Sequence, residues 1–117
     1  MEEAYRQLVE MILPQGTLEY FDLVRVYKDR EGLKIYLEEK NSPPEEYRKE
    51  VLHSKGFTPE TEVRDFPNRD HKVILSIKRR RWEVQSSGEI VTRNWDLVMS
   101  GTRITKELAA FLKGALG

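Results

Sequence analysis

Apolar residues at helical spacing occur near both ends of the chain. Ala4, Leu8 and Ile12 recur every four residues, which predicts a helix over residues 2–13. Residues 103–115 carry a second stripe with the spacing of one helix face, made of Ile104, Leu108, Phe111, Leu112 and Ala115. We therefore expect an amphipathic helix on each side of the central segments.

Between these two segments the pattern changes to the two-residue alternation of β-strands. Residues 18–39 are rich in β-branched and aromatic residues around a KDREG loop, which predicts a hairpin with Gly32 at a positive φ. Residues 48–100 alternate in shorter runs separated by polar turns, which predicts a ribbon-like set of strands. We expect a single α+β domain over residues 1–117, in which an antiparallel sheet of four to five strands is flanked by an N-terminal and a C-terminal helix.

Basic residues are concentrated in the second half of a chain that is neutral overall. The whole chain has 20 Lys+Arg and 20 Asp+Glu, yet residues 1–50 hold 8 basic and 12 acidic residues, and residues 51–117 hold 12 and 8. The first half therefore has a net charge of −4 and the second a net charge of +4. This asymmetry makes the second half the candidate for contact with a polyanion.

The densest cationic segment is KRRRW, which lies on a predicted strand. Side chains alternate along a strand, so Lys78 and Arg80 share one face with Trp82, while Arg79 and Arg81 share the other. Two cations and an indole on one face could follow a phosphate backbone. The same run could equally be a solvated strand end whose arginines pair with acids of the first half. The sequence leaves both interpretations open.

Several kinds of chemistry have no candidate residues in this sequence. The chain has no cysteine, which excludes disulfides, thiolate nucleophiles and cysteine-ligated zinc. His53 and His71 do not have a common metal-ligand spacing, and neither a nucleophile–base set nor a phosphate-binding loop occurs. We therefore expect no enzyme activity, no catalytic residues, no metal and no cofactor. No signal peptide or membrane-spanning segment is predicted, so we expect a cytoplasmic protein with no membrane partner.

Seven short motifs, taken in order, resemble those of a known family. The chain contains, without large gaps, LPQGTLEYFDLVRV, IYLEEKN, PPEEY, SKGF, DFP, KRRRW and GTRITKELAAFLK. Their order and spacing, from Leu13 to Lys113, are similar to the short N-terminal protein, or N-terminal region, of a family of bacterial insertion-sequence transposases. The family implies a non-catalytic module for DNA recombination by transposition, which recognises the ends of the element while the catalytic domain lies elsewhere.

The second half also resembles a more distant group of transposase modules, which fold as small zinc-binding ribbons. The HS, DFP and RRRW motifs follow that group's order, but its two cysteine pairs would fall within residues 41–47 and 83–90, which contain no cysteine. The resemblance implies a metal-free ribbon, in which an ordinary hairpin loop takes the place of the second zinc knuckle. The N-terminal helix and the aromatic hairpin would supply the stability that zinc supplies in that group.

Carried over by position, the resemblance assigns DNA contact to a basic strand and to the start of the last helix. Trp82 or Trp95 would pack or stack. The predicted DNA-binding residues are Lys72, Lys78, Arg79, Arg80, Arg81, Trp82, Arg93, Arg103 and Lys106. The alternative is a protein-interaction or self-association module, which docks onto the catalytic transposase subunit or domain or forms a homodimer. Zero net charge favours this alternative, because nucleic-acid-binding domains are usually basic.

Overall fold

The computed structural model describes residues 3–14 and 16–94 of the chain. The predicted C-terminal helix over residues 103–115 lies outside the described residues, as do Trp95, Arg103 and Lys106. The described elements are helices α1 (Glu3–Ile12) and α2 (Thr17–Tyr20), a 3-10 turn (Glu45–Tyr47), and strands β1 (Phe21–Lys28), β2 (Gly32–Glu39), β3 (Leu52–Phe57), β4 (Thr61–Asn68), β5 (His71–Lys78), β6 (Arg80–Val84) and β7 (Ile90–Thr92). The mixed α+β class predicted from the sequence is therefore confirmed.

The predicted N-terminal helix is present as α1, and it packs through part of the predicted apolar stripe. Val9 and Ile12 pack against the core together with Leu13, which is buried just beyond the helix. Leu8, which belonged to the predicted stripe, is 61% exposed. The core contact is therefore made by the C-terminal end of the helix, and the spacing alone does not say how far along α1 this contact extends.

The first hairpin arm begins at Phe21, because residues Thr17–Tyr20 form a helical turn where a strand was predicted. Gly16 has a left-handed φ of 95°. The Thr17 backbone N–H and hydroxyl both donate to the Pro14 carbonyl, at 3.1 and 2.6 Å. This local network satisfies the turn internally, which overrides the strand preference of the aromatic residues.

The first sheet has four strands in the order β1-β2-β5-β4. The β1–β2 and β4–β5 pairs are antiparallel, as predicted, but β2 and β5 run parallel, which corrects the expectation of an antiparallel sheet. Residues 40–70 connect these two strands and contain β3 and β4. A connection of this length allows the chain to return to the same end of the sheet, as parallel pairing requires.

A second sheet of three antiparallel strands, in the order β3-β6-β7, replaces the single sheet that was predicted. Only Arg79 separates β5 from β6, and residues 58–60 separate β3 from β4. The β3–β4 and β5–β6 connections therefore pass from one sheet to the other at the same point. There the Thr58 N–H donates to the Arg79 carbonyl at 2.8 Å. The basic run lies across this bend.

Each sheet has its own apolar core. The four-stranded sheet buries its inner face in a large cluster, and the three-stranded sheet has a small one around Trp82. The large core contains Leu13, Leu18, Phe21, Ile35, Leu37, Val73, Leu75 and Ile77. The small core contains Trp82, Val84 and Val91, with Tyr47 and Leu52 packed against it. The polar contacts between the two sheets therefore contribute a larger share of the stability of the three-stranded sheet.

Gly32 is required by packing, and the positive φ predicted for it is wrong. The described glycines with positive φ are Gly16, Gly56 and Gly88. A Cβ at residue 32 would lie 2.0 Å from the carbonyl oxygen of Lys72. The close approach of β2 to β5 at this end of the sheet therefore excludes every side chain. Within residues 3–14 and 16–94, no helix is long and apolar enough to cross a membrane.

Candidate functional site

A buried carboxylate joins the two sheets. Glu39 ends β2 and has no exposed surface. Its Oε1 accepts the backbone N–H of Arg80 at 3.0 Å, and its Oε2 accepts Nε–H of Arg93 at 2.7 Å. Its backbone carbonyl accepts Nε–H of Arg80 at 3.1 Å. Both carboxylate oxygens are thus hydrogen-bonded, which a charge in this position requires. We name Glu39, Arg79, Arg80 and Arg93 the junction cluster.

Arg93, one of the predicted DNA contacts, is only 7% exposed. Besides its ion pair with Glu39, it donates through Nη2 to the Ser42 carbonyl. Its guanidinium carbon lies 5.3 Å from the ring centroid of Tyr20 and 5.8 Å from that of Trp82. The side chain is held on several sides by the protein and presents little surface to a ligand.

Arg79 lies at the bend itself and fastens β7 to it. Its Nη2 donates to the Thr92 hydroxyl at 3.1 Å and to the Arg93 carbonyl at 3.2 Å. Its backbone N–H donates to the Thr58 hydroxyl at 3.2 Å. Its Nε is buried, with no hydrogen-bond partner among the described residues. The main role of the guanidinium is therefore to hold β7 against the bend by hydrogen bonds.

Arg80 and Arg81 differ in how firmly they are held. The Arg80 guanidinium donates to the Ser54 hydroxyl at 2.6 Å and lies 4.6 Å from the ring centroid of Phe57. Arg81 lies opposite Thr92 in the β6–β7 register and is half-buried. In the part of the chain that the structure describes, no side-chain hydrogen bond or ion pair involves Arg81. It is thus the freest arginine of the run.

Trp82 is fully buried, and it joins the two segments where the resemblance places zinc knuckles. Its Nε1–H donates to the Asn41 side-chain oxygen at 3.0 Å, and Tyr47 packs against the same core. The turn after β6 is an ordinary hairpin loop, as predicted, in which the Gly88 N–H donates to the Val84 carbonyl at 2.7 Å. An indole and its hydrogen bond thus link the segments that a metal links in a ribbon. Among the described residues, no group of three acids or histidines is placed to hold a metal.

Lys72 and Lys78 lie on the same surface of the four-stranded sheet as cations of the first hairpin, on the side away from the core. Ile35, Leu37 and Leu75 point into the core, so their neighbours along the strands point away from it. We name this surface the outer face. It carries Arg25, Tyr27, Lys34, Tyr36, Glu38, Glu62, Arg64, Lys72, Ile74, Ser76 and Lys78. Two predicted DNA contacts, Lys72 and Lys78, therefore share a surface.

Arg25 forms a platform with two tyrosines on the outer face. Its guanidinium carbon lies 4.7 Å from the ring centroid of Tyr36 and 5.9 Å from that of Tyr27. Tyr27 is 50% exposed. Stacked guanidinium and aromatic groups of this kind bind flat π systems well. The platform was not recognised from the sequence, although the alternation of Lys34 and Tyr36 against the apolar residues of β2 would have indicated it.

Lys34 is the one outer-face cation whose charge is matched locally among the described residues. It forms an ion pair with Glu62, and Glu60 lies 3.9 Å away. The hydrogen bond with Glu62 raises the pKa of the Lys34 ammonium. Arg25, Lys72 and Lys78 are in no ion pair within the described chain. These three cations can therefore contact an external anion without breaking an internal bond.

A groove of about 380 Å³ opens on the outer face beside the β1–β2 turn. Gly32 contributes no side chain there, so the surface is lower between Tyr27 and Lys72. The groove is lined by Arg25, Tyr27, Asp29, Glu31, Gly32, Leu33, Lys34, Tyr36, Lys72 and Ile74. A second, smaller depression of about 240 Å³ lies further along the face and includes Ser76 and Lys78. The outer face thus combines concave surface, aromatic rings and unpaired cations.

No family model, no curated protein and no solved structure matches this chain.

Proposed function

We propose that the protein is a non-catalytic nucleic-acid-binding module that contacts its ligand through the outer face of the four-stranded sheet. One observation carries this proposal: Lys72 and Lys78 lie on one face with the Arg25–tyrosine platform. The resemblance to transposase N-terminal regions supplies the biological setting, namely the DNA ends of an insertion element and a catalytic transposase subunit as partner.

The chemistry of this face suits a sugar–phosphate backbone. Unpaired lysines attract phosphates and displace their counterions, which gives affinity without sequence preference. Aromatic rings and arginine planes bind the bases beside them. Lys72 and Lys78 are six positions apart on β5, about 20 Å along the strand, so they can contact two separated phosphates of one nucleic-acid strand. The proposal therefore predicts a salt-dependent interaction with modest sequence specificity.

This mode of binding differs from the basic strand expected from the sequence alone. Arg79, Arg80 and Arg93 make their hydrogen bonds inside the fold. Changing Arg79, Arg80 and Arg81 to Ala together would remove stability as well as charge, so loss of binding by that variant would not identify an interface. Substitutions on the outer face separate the two effects, because those side chains are not needed for the cores.

The experiment compares the full chain with Lys72→Ala/Lys78→Ala by fluorescence anisotropy, using short single-stranded and duplex oligonucleotides at about 50 mM salt. We expect binding by the parent and about tenfold weaker binding by the variant. The matched control is Lys49→Ala/Lys55→Ala, which removes the same charge from exposed positions outside the sheet face. The control should bind as tightly as the parent.

Two results would contradict the proposal. If the parent binds both oligonucleotides more weakly than about 1 μM at low salt, the affinity is no better than nonspecific attraction. If the control variant loses as much affinity as Lys72→Ala/Lys78→Ala, the contact is diffuse and the outer face is not the interface.

Self-association is the alternative function, and the exposed side of α1 favours it. Tyr5, Leu8 and Met11 are 60%, 61% and 86% exposed and lie on one side of this helix. The occupant that fits is a second copy of α1. An antiparallel pair of α1 helices centred on Leu8 would bury these apolar side chains of both copies under two-fold symmetry.

Light scattering after size-exclusion chromatography tests this alternative. A concentration-dependent dimer should dissociate in the Leu8→Glu variant and persist in Ile90→Glu, which places the same charge at an exposed apolar position of β7. A monomer at all concentrations, or a dimer insensitive to Leu8→Glu, would contradict it.

A further inference from the structure

The groove at the β1–β2 turn has the dimensions and the lining of a small-ligand site. Its volume of about 380 Å³ falls in the range of small-molecule pockets, roughly 300–1,000 Å³. Tyr27 lines it from β1, Lys72 and Ile74 line it from β5, and β2 lies between these strands. At Gly32, β2 contributes no side chain to this space, whereas Lys34 lies beside Tyr27. A flat group of moderate size can therefore enter from the outer face.

The aromatic wall of this groove is built to receive a planar ring. Tyr27 and Lys34 are cross-strand neighbours, as are Arg25 and Tyr36, so the rings and the guanidinium form a continuous patch over β1 and β2. The Arg25 guanidinium carbon lies 4.7 Å from the Tyr36 ring centroid. Tyr27, which is half exposed, lies at the end of the patch nearer the groove. Base-stacking on tyrosine and arginine planes is the usual way in which sheet faces hold unpaired nucleotides.

Charged groups of both signs line the groove. Lys72 is exposed and lies in no ion pair among the described residues, so a phosphate would lie at its end of the groove. Asp29 and Glu31 lie at the turn. The Asp29 carboxylate accepts the N–H groups of Glu31 and Gly32 at 2.8 and 3.1 Å, which fixes the shape of the turn. These acids lie beside Lys72, whose N–H donates to the Glu31 carbonyl at 3.1 Å, and they offer acceptors to base amino groups or sugar hydroxyls.

We infer that this groove binds one unpaired nucleotide, with its base against Tyr27 and Arg25 and its phosphate at Lys72. The inference rests on the proposed function and makes it more specific: the ligand is a single strand, or a duplex with unpaired bases. In an intact duplex the bases are stacked on one another and cannot lie flat on a protein ring. A regular duplex could therefore use the lysines but not the platform.

The test measures the affinity of the full chain for a single-stranded oligonucleotide and for a blunt duplex of the same sequence, at equal salt. We expect the single strand to bind at least about tenfold more tightly. Tyr27→Leu should lose about tenfold in affinity for the single strand and little for the duplex, because it removes a stacking face. Tyr27→Phe keeps the ring and should retain the affinity. Tyr5→Leu removes an exposed tyrosine from α1 and serves as the matched control.

The outcomes separate this inference from the proposed function. Tighter binding of the duplex, or equal binding of both, overturns the unpaired nucleotide and leaves a nucleic-acid-binding outer face. A preference for the single strand that survives Tyr27→Leu also overturns the groove as its site. Absence of binding to either oligonucleotide overturns both. A preference for the single strand that falls with Tyr27→Leu and returns with Tyr27→Phe supports both.

Discussion

The junction cluster and the outer face use the same type of residue for opposite purposes. At the junction, Arg80 and Arg93 surround the buried Glu39 and make hydrogen bonds to the protein. On the outer face, Lys72 and Lys78 lie on the neighbouring strand without an ion pair among the described residues. Lys78 and Arg80 are only two positions apart in the sequence. The bend at Arg79 therefore decides which cations hold the fold and which can meet a ligand.

Charge density along the sequence does not distinguish these two roles. A buried charge is stable only when it is paired and hydrogen-bonded. Glu39 forms an ion pair with Arg93, 54 residues away, and accepts the backbone N–H of Arg80, 41 residues away. An exposed charge has no such requirement and contributes little to stability. The difference can therefore be measured as the stability lost when each group is removed.

The largest expected effect is the loss of folding in a fragment of residues 48–117. This fragment lacks β1 and β2, and with them Glu39 and the Asn41 side chain that accepts from Trp82. The small core around Trp82 cannot support a fold alone, since structural zinc in comparable small domains supplies roughly 10–16 kcal/mol of apparent binding free energy. Circular dichroism and amide chemical-shift dispersion should show an unfolded chain. Cooperative unfolding of the fragment, or stoichiometric zinc in the full chain, would contradict this expectation.

The next effect in size is that of Glu39→Ala, which leaves Arg93 buried without its carboxylate. We expect a loss of about 3–5 kcal/mol in the free energy of unfolding, measured by urea denaturation. The control is Glu62→Ala, which removes the exposed partner of Lys34 and should cost less than about 1 kcal/mol. Equal losses in the two variants would mean that the junction is no more important than a surface ion pair.

A smaller loss is expected from Gly32→Ala, which tests the backbone contact under the groove. The added methyl would overlap the Lys72 carbonyl and push β2 from β5, at a cost of about 3 kcal/mol. Gly56→Ala is the comparison, since no atom lies within 4 Å of its added Cβ and only the φ of +81° is unfavourable. It should cost about 1–2 kcal/mol. Thermal unfolding of both variants would show whether the steric contact outweighs the strain.

Local patterns in the sequence predicted the elements better than their arrangement. The α1 helix and the alternation of Lys34 and Tyr36 against Ile35 and Leu37 follow directly from residue spacing. The parallel pairing of β2 with β5 does not, because it depends on a connection of many residues whose path is set by tertiary contacts. The placement of Lys72 and Tyr27 along the same groove depends on that pairing.

The junction cluster could not be predicted from the sequence, for a related reason. Glu39 lies in the segment LEEK, whose mixed charges are typical of a solvent-exposed surface. Its burial results from its position at the last inward-facing residue of β2, where the chain bend brings Arg80 and Arg93 over it. The sequence predicted correctly that Trp82 shares a strand face with Arg80. It did not predict that this face packs into the second core. Contacts between residues far apart in sequence decided each of these cases.

The division between fold-holding and ligand-facing cations is tested most directly by the salt dependence of oligonucleotide binding to Lys72→Ala/Lys78→Ala. If these lysines contact two phosphates of a single strand, the slope of log K against log salt should decrease in magnitude by about 1.4. The free energy of unfolding should stay within about 0.5 kcal/mol of the parent value. An unchanged slope, or a large loss of stability in this variant, would contradict the division of roles.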